Sequence, residues 1–172
     1  MSFERDEFDL FNANMFSLDD DGYVLKPIDD CGGYFCFPEA LCALTKGTHF
    51  WSVKCVDGTN HHCYRYIGVS AVRCKEYTEF GKSGSSYGWE ESWAKKQGHA
   101  LYVEGGFSNW TDDDVFTVKL DCDENECVWL RNDVVHKKCS IEPNRGYYFV
   151  AQFCASKTSY KSVETPAHVF KL

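Results

Sequence analysis

The chain has 172 residues, of which 44% are hydrophobic and 16% aromatic, with 4 prolines and 13 glycines. That is the length of one domain with apolar surface enough for a core, and it excludes a disordered or fibrous chain. The 18 Lys and Arg against 26 Asp and Glu leave a net charge of −8 with no basic block, which excludes nucleic acid and anionic membrane surfaces as expected partners.

The opening residues, Met1-Ser2-Phe3-Glu4-Arg5-Asp6-Glu7, lack the basic start and apolar segment of a secretory signal, and no later apolar run approaches membrane-spanning length. A cytoplasmic protein is the expectation. Between Phe3 and Met15, the residues Phe8, Phe11 and Met15 share a helical stripe. This predicts a short N-terminal helix in an extension, 1–14, ahead of a main domain at 15–172. Further helical turns are expected near Phe37-Pro38-Glu39-Ala40-Leu41.

From residue 47 onward the period is two. Trp51, Val53 and Cys55 share one face of "GTHFWSVKC" (47–55), and Arg65, Ile67, Val69 and Ala71 one face of "YRYIGVSAV" (64–72). In "VFTVKLDC" (115–122), Phe116, Val118 and Leu120 alternate with Thr117, Lys119 and Asp121. Tyr147, Phe149, Ala151 and Phe153 do the same in "YYFVAQFC" (147–154). β-Branched and aromatic residues suit such half-buried pleated surfaces. Turn signals separate the runs at Asp20-Asp21-Gly22, Asp57-Gly58, Gly105-Gly106 and Asn132-Asp133. The rhythm predicts an antiparallel β-sandwich.

Ten cysteines stand at 31, 36, 42, 55, 63, 74, 122, 127, 139 and 154. None forms a C-x-x-C pair; the closest spacings are Cys31-x4-Cys36, Cys36-x5-Cys42 and Cys122-x4-Cys127, so no metal site is assigned and core packing is the reading preferred. An even cysteine count also fits a secreted disulfide scaffold. His61-His62-Cys63 lies between two patterned strands and reads as a loop. A Cys63–His nucleophile pair would need an orienting third group and an oxyanion site, neither of which the sequence identifies. A metal site joining these residues to Cys31 or Cys36 ranks between that and a plain turn. Asp112-Asp113-Asp114 reads as a solvated turn. No Ser-His-Asp order, phosphate-binding glycine loop or carboxylate pair stands out, so no enzyme, catalytic residue or cofactor is expected.

Several of these runs together resemble the SPRY domain family. "GTHFWSVKC" (47–55) is similar to its Gly-x-His-aromatic-Trp-x-Val strand, and "YRYIGVS" (64–70) to the following strand ending in Gly-Val. Glu91-Ser92-Trp93, the hairpin "DDVFTVKLDCDENECVWLRND" (113–133) and "GYYFVAQFC" (146–154) continue the resemblance in order. Ser52 stands where a glutamate is common, Asp133 in place of the glycine of an Asn-Gly turn, and Phe149 where a proline is frequent. The resemblance covers 47–154 and implies an all-β fold: a bent antiparallel β-sandwich, a concanavalin-like jelly roll of SPRY type. It also implies a non-catalytic recognition module, an adaptor or substrate-recognition part of a larger multidomain chain or complex. Such a module binds a protein or peptide through loops at one end of the sandwich.

Loops on a rigid scaffold can vary without disturbing the core, so the binding residues are sought there. The segment 75–92, "KEYTEFGKSGSSYGWEES", offers Tyr77, Tyr87 and Trp89, and "EGGFSNWTDDD" (104–114) offers Phe107 and Trp110. Tyr, Trp and Arg dominate interface energetics, each worth about 2 kcal/mol or more at a hot spot. With His61, His62 and Arg131 these are the expected partner-binding residues. The acidic net charge favours a basic partner. The resemblance implies that Trp51, Trp93 and Trp129, each in a strand motif, pack in the core between the sheets. The alternative class is a secreted, disulfide-bonded, lectin-like domain that stacks Trp110 on sugars and uses Asn109 or Asp112 for hydroxyls.

Overall fold

The computed structural model describes residues 8–9, 16–19, 24–27, 34–38, 43–56, 65–71, 86–91, 102–105, 114–153 and 159–163, with side chains over 43–54, 67–71, 87–88 and 114–150. Thirteen strands lie within them: β1 Phe8–Asp9, β2 Phe16–Asp19, β3 Val24–Pro27, β4 Tyr34–Pro38, β5 Thr48–Val56, β6 Arg65–Ser70, β7 Ser86–Glu91, β8 Tyr102–Gly105, β9 Val115–Asp121, β10 Glu126–Arg131, β11 Val134–Ser140, β12 Tyr148–Phe153 and β13 Ser159–Val163. They form a six-stranded sheet, order β1-β4-β12-β6-β7-β8, and a seven-stranded sheet, order β11-β10-β9-β5-β13-β3-β2. The pairings are antiparallel except β7 with β8, which run parallel.

The alternation in β9 does what a period of two requires. Phe116, Val118 and Leu120 are buried on the inner face, beside Trp51 and Val53 of β5 and Cys127 and Trp129 of β10. Ile67 and Val69 of β6, Tyr87 of β7 and Phe149 of β12 meet them from the other sheet. Trp51 packs on Phe149 with ring centroids 5.8 Å apart. The indole N–H of Trp129 donates to the Ile67 carbonyl at 3.0 Å, so a residue of the seven-stranded sheet is fastened to the backbone of the other. Burying each such side chain stabilises the fold by about 1.5–3 kcal/mol, before entropy is charged.

"CVWLR" reads as an unbroken apolar run because β10 is covered on both faces. Val128 and Leu130 point away from the inner core, yet they are 6% and 1% exposed and pack with Phe50. On that same side Ser52 and Thr117 are buried and share a 2.7 Å hydroxyl–hydroxyl hydrogen bond, which removes the cost of leaving either hydroxyl dry and unpaired.

Two local expectations are corrected. Phe8–Asp9 is extended and pairs with Pro38 and Phe37 of β4, so neither the expected N-terminal helix at these positions nor a helical turn at Phe37-Pro38 is present. Sheet pairing outweighs a weak stripe of apolar residues, since a short isolated helix is marginal in water. The second correction is β7. "SSYGWEE" reads as a flexible loop because of its glycine and serines, yet Ser86–Glu91 pairs with both β6 and β8. Gly88 faces Gly68 across the pair, and a Cβ on Gly68 would lie 2.0 Å from the Tyr87 carbonyl oxygen. These glycines serve close backbone approach, not flexibility.

Candidate functional site

The strand directions sort the connections between two ends of the sandwich. At one end, β6 leaves at Ser70 and β7 begins at Ser86, while β5 begins at Thr48 and the β9–β10 turn lies at 122–125. At the other, β5 leaves at Val56 and β6 begins at Arg65; β8 leaves at Gly105 and β9 begins at Val115; β10 turns into β11 at 132–133; and β12 leaves at Phe153 before β13 at Ser159. Register confirms the second grouping: Val56 faces Ser159, Val115 faces Lys54, and Arg65 faces both Phe153 and Glu91.

The first end is braced within the chain. The Gly47 N–H donates to Asp123 Oδ1 at 3.1 Å, the Cys122 N–H to the Gly47 carbonyl at 3.0 Å, and the Thr48 hydroxyl to Asp121 Oδ2 at 3.0 Å. Burial pushes the Asp121 carboxyl up, but the N–H of Glu124, the Thr48 hydroxyl and the Lys119 charge outweigh it and hold the group below its ordinary range. Nearby, Tyr87 OH accepts from the Glu142 N–H at 3.1 Å and Tyr147 OH donates to the Glu142 carbonyl at 3.0 Å. The two rings meet edge-on at 6.1 Å, and burial raises both phenols above the usual value. A bridge between Leu44 and Tyr147, with hydrogen bonds in both directions, closes this end.

The second end turns on Asp114. Its carboxylate is almost fully buried and accepts from Arg131 Nη2 at 2.5 Å and Asn132 Nδ2 at 2.8 Å. Asn132 also accepts from the Val115 N–H through its side chain and donates its own N–H to the Val115 carbonyl. The guanidinium of Arg131 lies 5.9 Å from the Phe116 ring centroid. Asn132 and Asp133 have φ of 49° and 66°, the left-handed pair of a two-residue hairpin turn that prefers Asn-Gly. Asp133 therefore places a side chain where glycine fits best.

The expected partner-binding residues divide accordingly. In sequence, His61 and His62 fall between β5 and β6, and Phe107 and Trp110 between β8 and β9. These four lie outside the described residues, as do Cys63, Trp93 and Tyr77. Tyr77 falls in sequence between β6 and β7. Tyr87 is corrected: it is a strand residue, 5% exposed, with its hydroxyl engaged by Glu142. Trp89 is a strand residue as well, facing Ile67 and Glu104 in register, with its side chain outside the described set. Arg131 is partly buried and held by its own chain's Asp114. Asp114 is corrected from a solvated turn residue to a buried anchor; its place just before a patterned strand was the available signal. Among the described residues, no group of three or more His, Cys, Asp or Glu side chains is placed to hold a metal ion.

By sequence, no family profile and no curated protein matches the chain. By structure, it is similar to the PSpry domain of TRIM65, with a TM-score of 0.64 at 15% identity over 95% of this chain and 94% of that one. It is similar to the SPRY domain of human HERC1, with a TM-score of 0.60 at 13% identity over 95% and 98%. The Drosophila melanogaster neuralized NHR1 domain gives 0.62 at 9% identity over 94% and 99%. Two mostly antiparallel sheets, a core fastened by Trp51 and Trp129, and near-complete overlap with these domains identify the fold of this chain as that of the SPRY-type β-sandwich.

Proposed function

We propose that this chain is a non-catalytic protein-recognition module that holds a protein or peptide partner at the sandwich end where the β5–β6, β8–β9 and β10–β11 connections emerge. The observation that supports the reading is the convergence of strand ends there, with β5 ending at Val56, β6 beginning at Arg65, β8 ending at Gly105 and β9 beginning at Val115; His61, His62, Phe107 and Trp110 are the residues proposed to contact the partner. Arg131, Asn132 and Asp114 hold the β10–β11 turn at this end. The net charge of −8 favours a basic partner. An adaptor role, within a larger assembly in the cytoplasm, completes the proposal.

The test is a pull-down from lysate in reducing buffer, read by mass spectrometry, with three forms of the chain whose melting curves agree. Proteins retained by the native chain and by Tyr77→Ala, but lost from Phe107→Ala/Trp110→Ala, support the proposed end. Loss with Tyr77→Ala alone moves the site to the braced end, and equal retention by all three removes the loop aromatics from recognition.

A further inference from the structure

Cys127 and Cys139 face each other directly in the register of β10 and β11. The Ile141 N–H donates to the Asn125 carbonyl at 2.8 Å, and two residues further along each strand the same phase recurs at Cys127 and Cys139. Residues opposed in such a hydrogen-bonded antiparallel pair hold their Cα atoms about 5.5 Å apart. A disulfide spans about 4.4–6.8 Å between Cα atoms, with its commonest value near 5.5–6 Å. Both side chains lie on the inner face: Cys127 in the core with no exposed surface, and Cys139 packed against that core from a partly exposed position. Both are free thiols.

From this juxtaposition we propose that Cys127 and Cys139 are an oxidative modification site, at which a small disulfide of the glutathione class converts the two thiols into a cross-strand disulfide. The difference in exposure sets the order. The Cys139 thiolate attacks one sulfur of the oxidant, breaking its S–S bond and releasing one glutathione thiolate. The Cys127 thiolate then attacks Cys139 Sγ in the mixed disulfide, forming the Sγ–Sγ bond and releasing the second glutathione. The protein loses two protons and two electrons, and one glutathione disulfide becomes two thiols.

Burial pushes Cys139 up to about 11, a change that Lys137 opposes and Glu126 reinforces, and burial pushes Cys127 up as well. Few thiolates exist near neutral pH, so the reaction is one of prolonged oxidation rather than a rapid response. Its structural consequence falls on β11, the terminal strand of the seven-stranded sheet. That strand carries the exposed Val134 and Val135 and a register shift between Trp129 and Leu130 of its partner. A covalent tie at the far end of the strand would hold this irregular edge strand to β10.

The experiment incubates the full chain, folded and reduced, with oxidised glutathione, blocks free thiols by alkylation and digests with trypsin without reduction. Cleavage after Lys119, Arg131, Lys138 and Arg145 isolates 120–131, which holds Cys122 and Cys127, and 139–145, which holds Cys139. The expected product is 120–131 joined to 139–145 in most molecules, with fragment ions placing the bond at Cys127. The proposal is overturned by alkylated Cys127 and Cys139, by glutathione left on Cys139 alone, by a bond from Cys139 to Cys122, or by closure within 120–131 between Cys122 and Cys127.

Discussion

The two ends of the sandwich are stabilised in different ways. At the braced end, hydrogen bonds donated by Gly47, Thr48, Cys122, Glu142 and Tyr147 are spread over separate turns. At the other end, a single buried carboxylate, Asp114, gathers Arg131 and Asn132 and thereby fixes both the start of β9 and the β10–β11 turn. Many modest bonds tolerate the loss of one. A single charged anchor concentrates the cost, because a buried charge deprived of its partner has no water to replace it.

The largest effect should follow from Arg131→Ala. The carboxylate it leaves has a side chain 6% exposed, and truncating one partner of such a pair costs about 3 kcal/mol. Urea unfolding measures it, and a loss below about 1 kcal/mol would show that the two ends do not differ. Tyr147→Phe, at the braced end, removes one hydroxyl that donates to the Glu142 carbonyl and should cost about 1 kcal/mol, with the ring contact to Tyr87 kept.

Asp121→Ala should have a comparable or smaller effect with a pH signature. Its folded carboxyl is held below the ordinary Asp value, so its contribution is complete above about pH 4 and is lost as pH falls through the folded value. Melting temperatures of the native chain and the variant should converge in acid and separate toward neutrality; parallel curves would remove Asp121 from the brace. The smallest effect is a gain. Asp133→Gly relieves a non-glycine residue at φ 66° and should raise stability by about 0.5 kcal/mol, read as a small upward shift of the melting point.

The legibility of each strand in the sequence follows from its surroundings. β9 shows clean alternation because its inward Phe116, Val118 and Leu120 enter the core while Val115 and Lys119 are less buried. β10 shows none, since Val128 and Leu130 are buried on one face and Cys127 and Trp129 on the other. β7 was hidden by composition: Gly88 and its serine neighbour look like loop chemistry, and only the partner strand reveals that Gly68 and Gly88 permit close approach. Tyr87 lies in β7 with its ring in the core. Asp114 was hidden for a related reason, because an acidic run reads as solvated until a partner from another strand is known.

What the sequence determined by itself was the architecture. Alternating apolar residues, β-branched and aromatic strands and short turn signals specify sheets that bury one face, and a period of two is local information. The Trp51 position in the core was readable in the same way, whereas that of Trp129 came from the family resemblance. Tertiary structure alone decided which residues meet: Trp129 with the Ile67 backbone, Arg131 with Asp114, and Cys127 with Cys139. It also decided which connections share an end of the sandwich. Those outcomes depend on strand order and register, which are set by contacts between residues far apart in the chain and leave no mark on any single stretch of it.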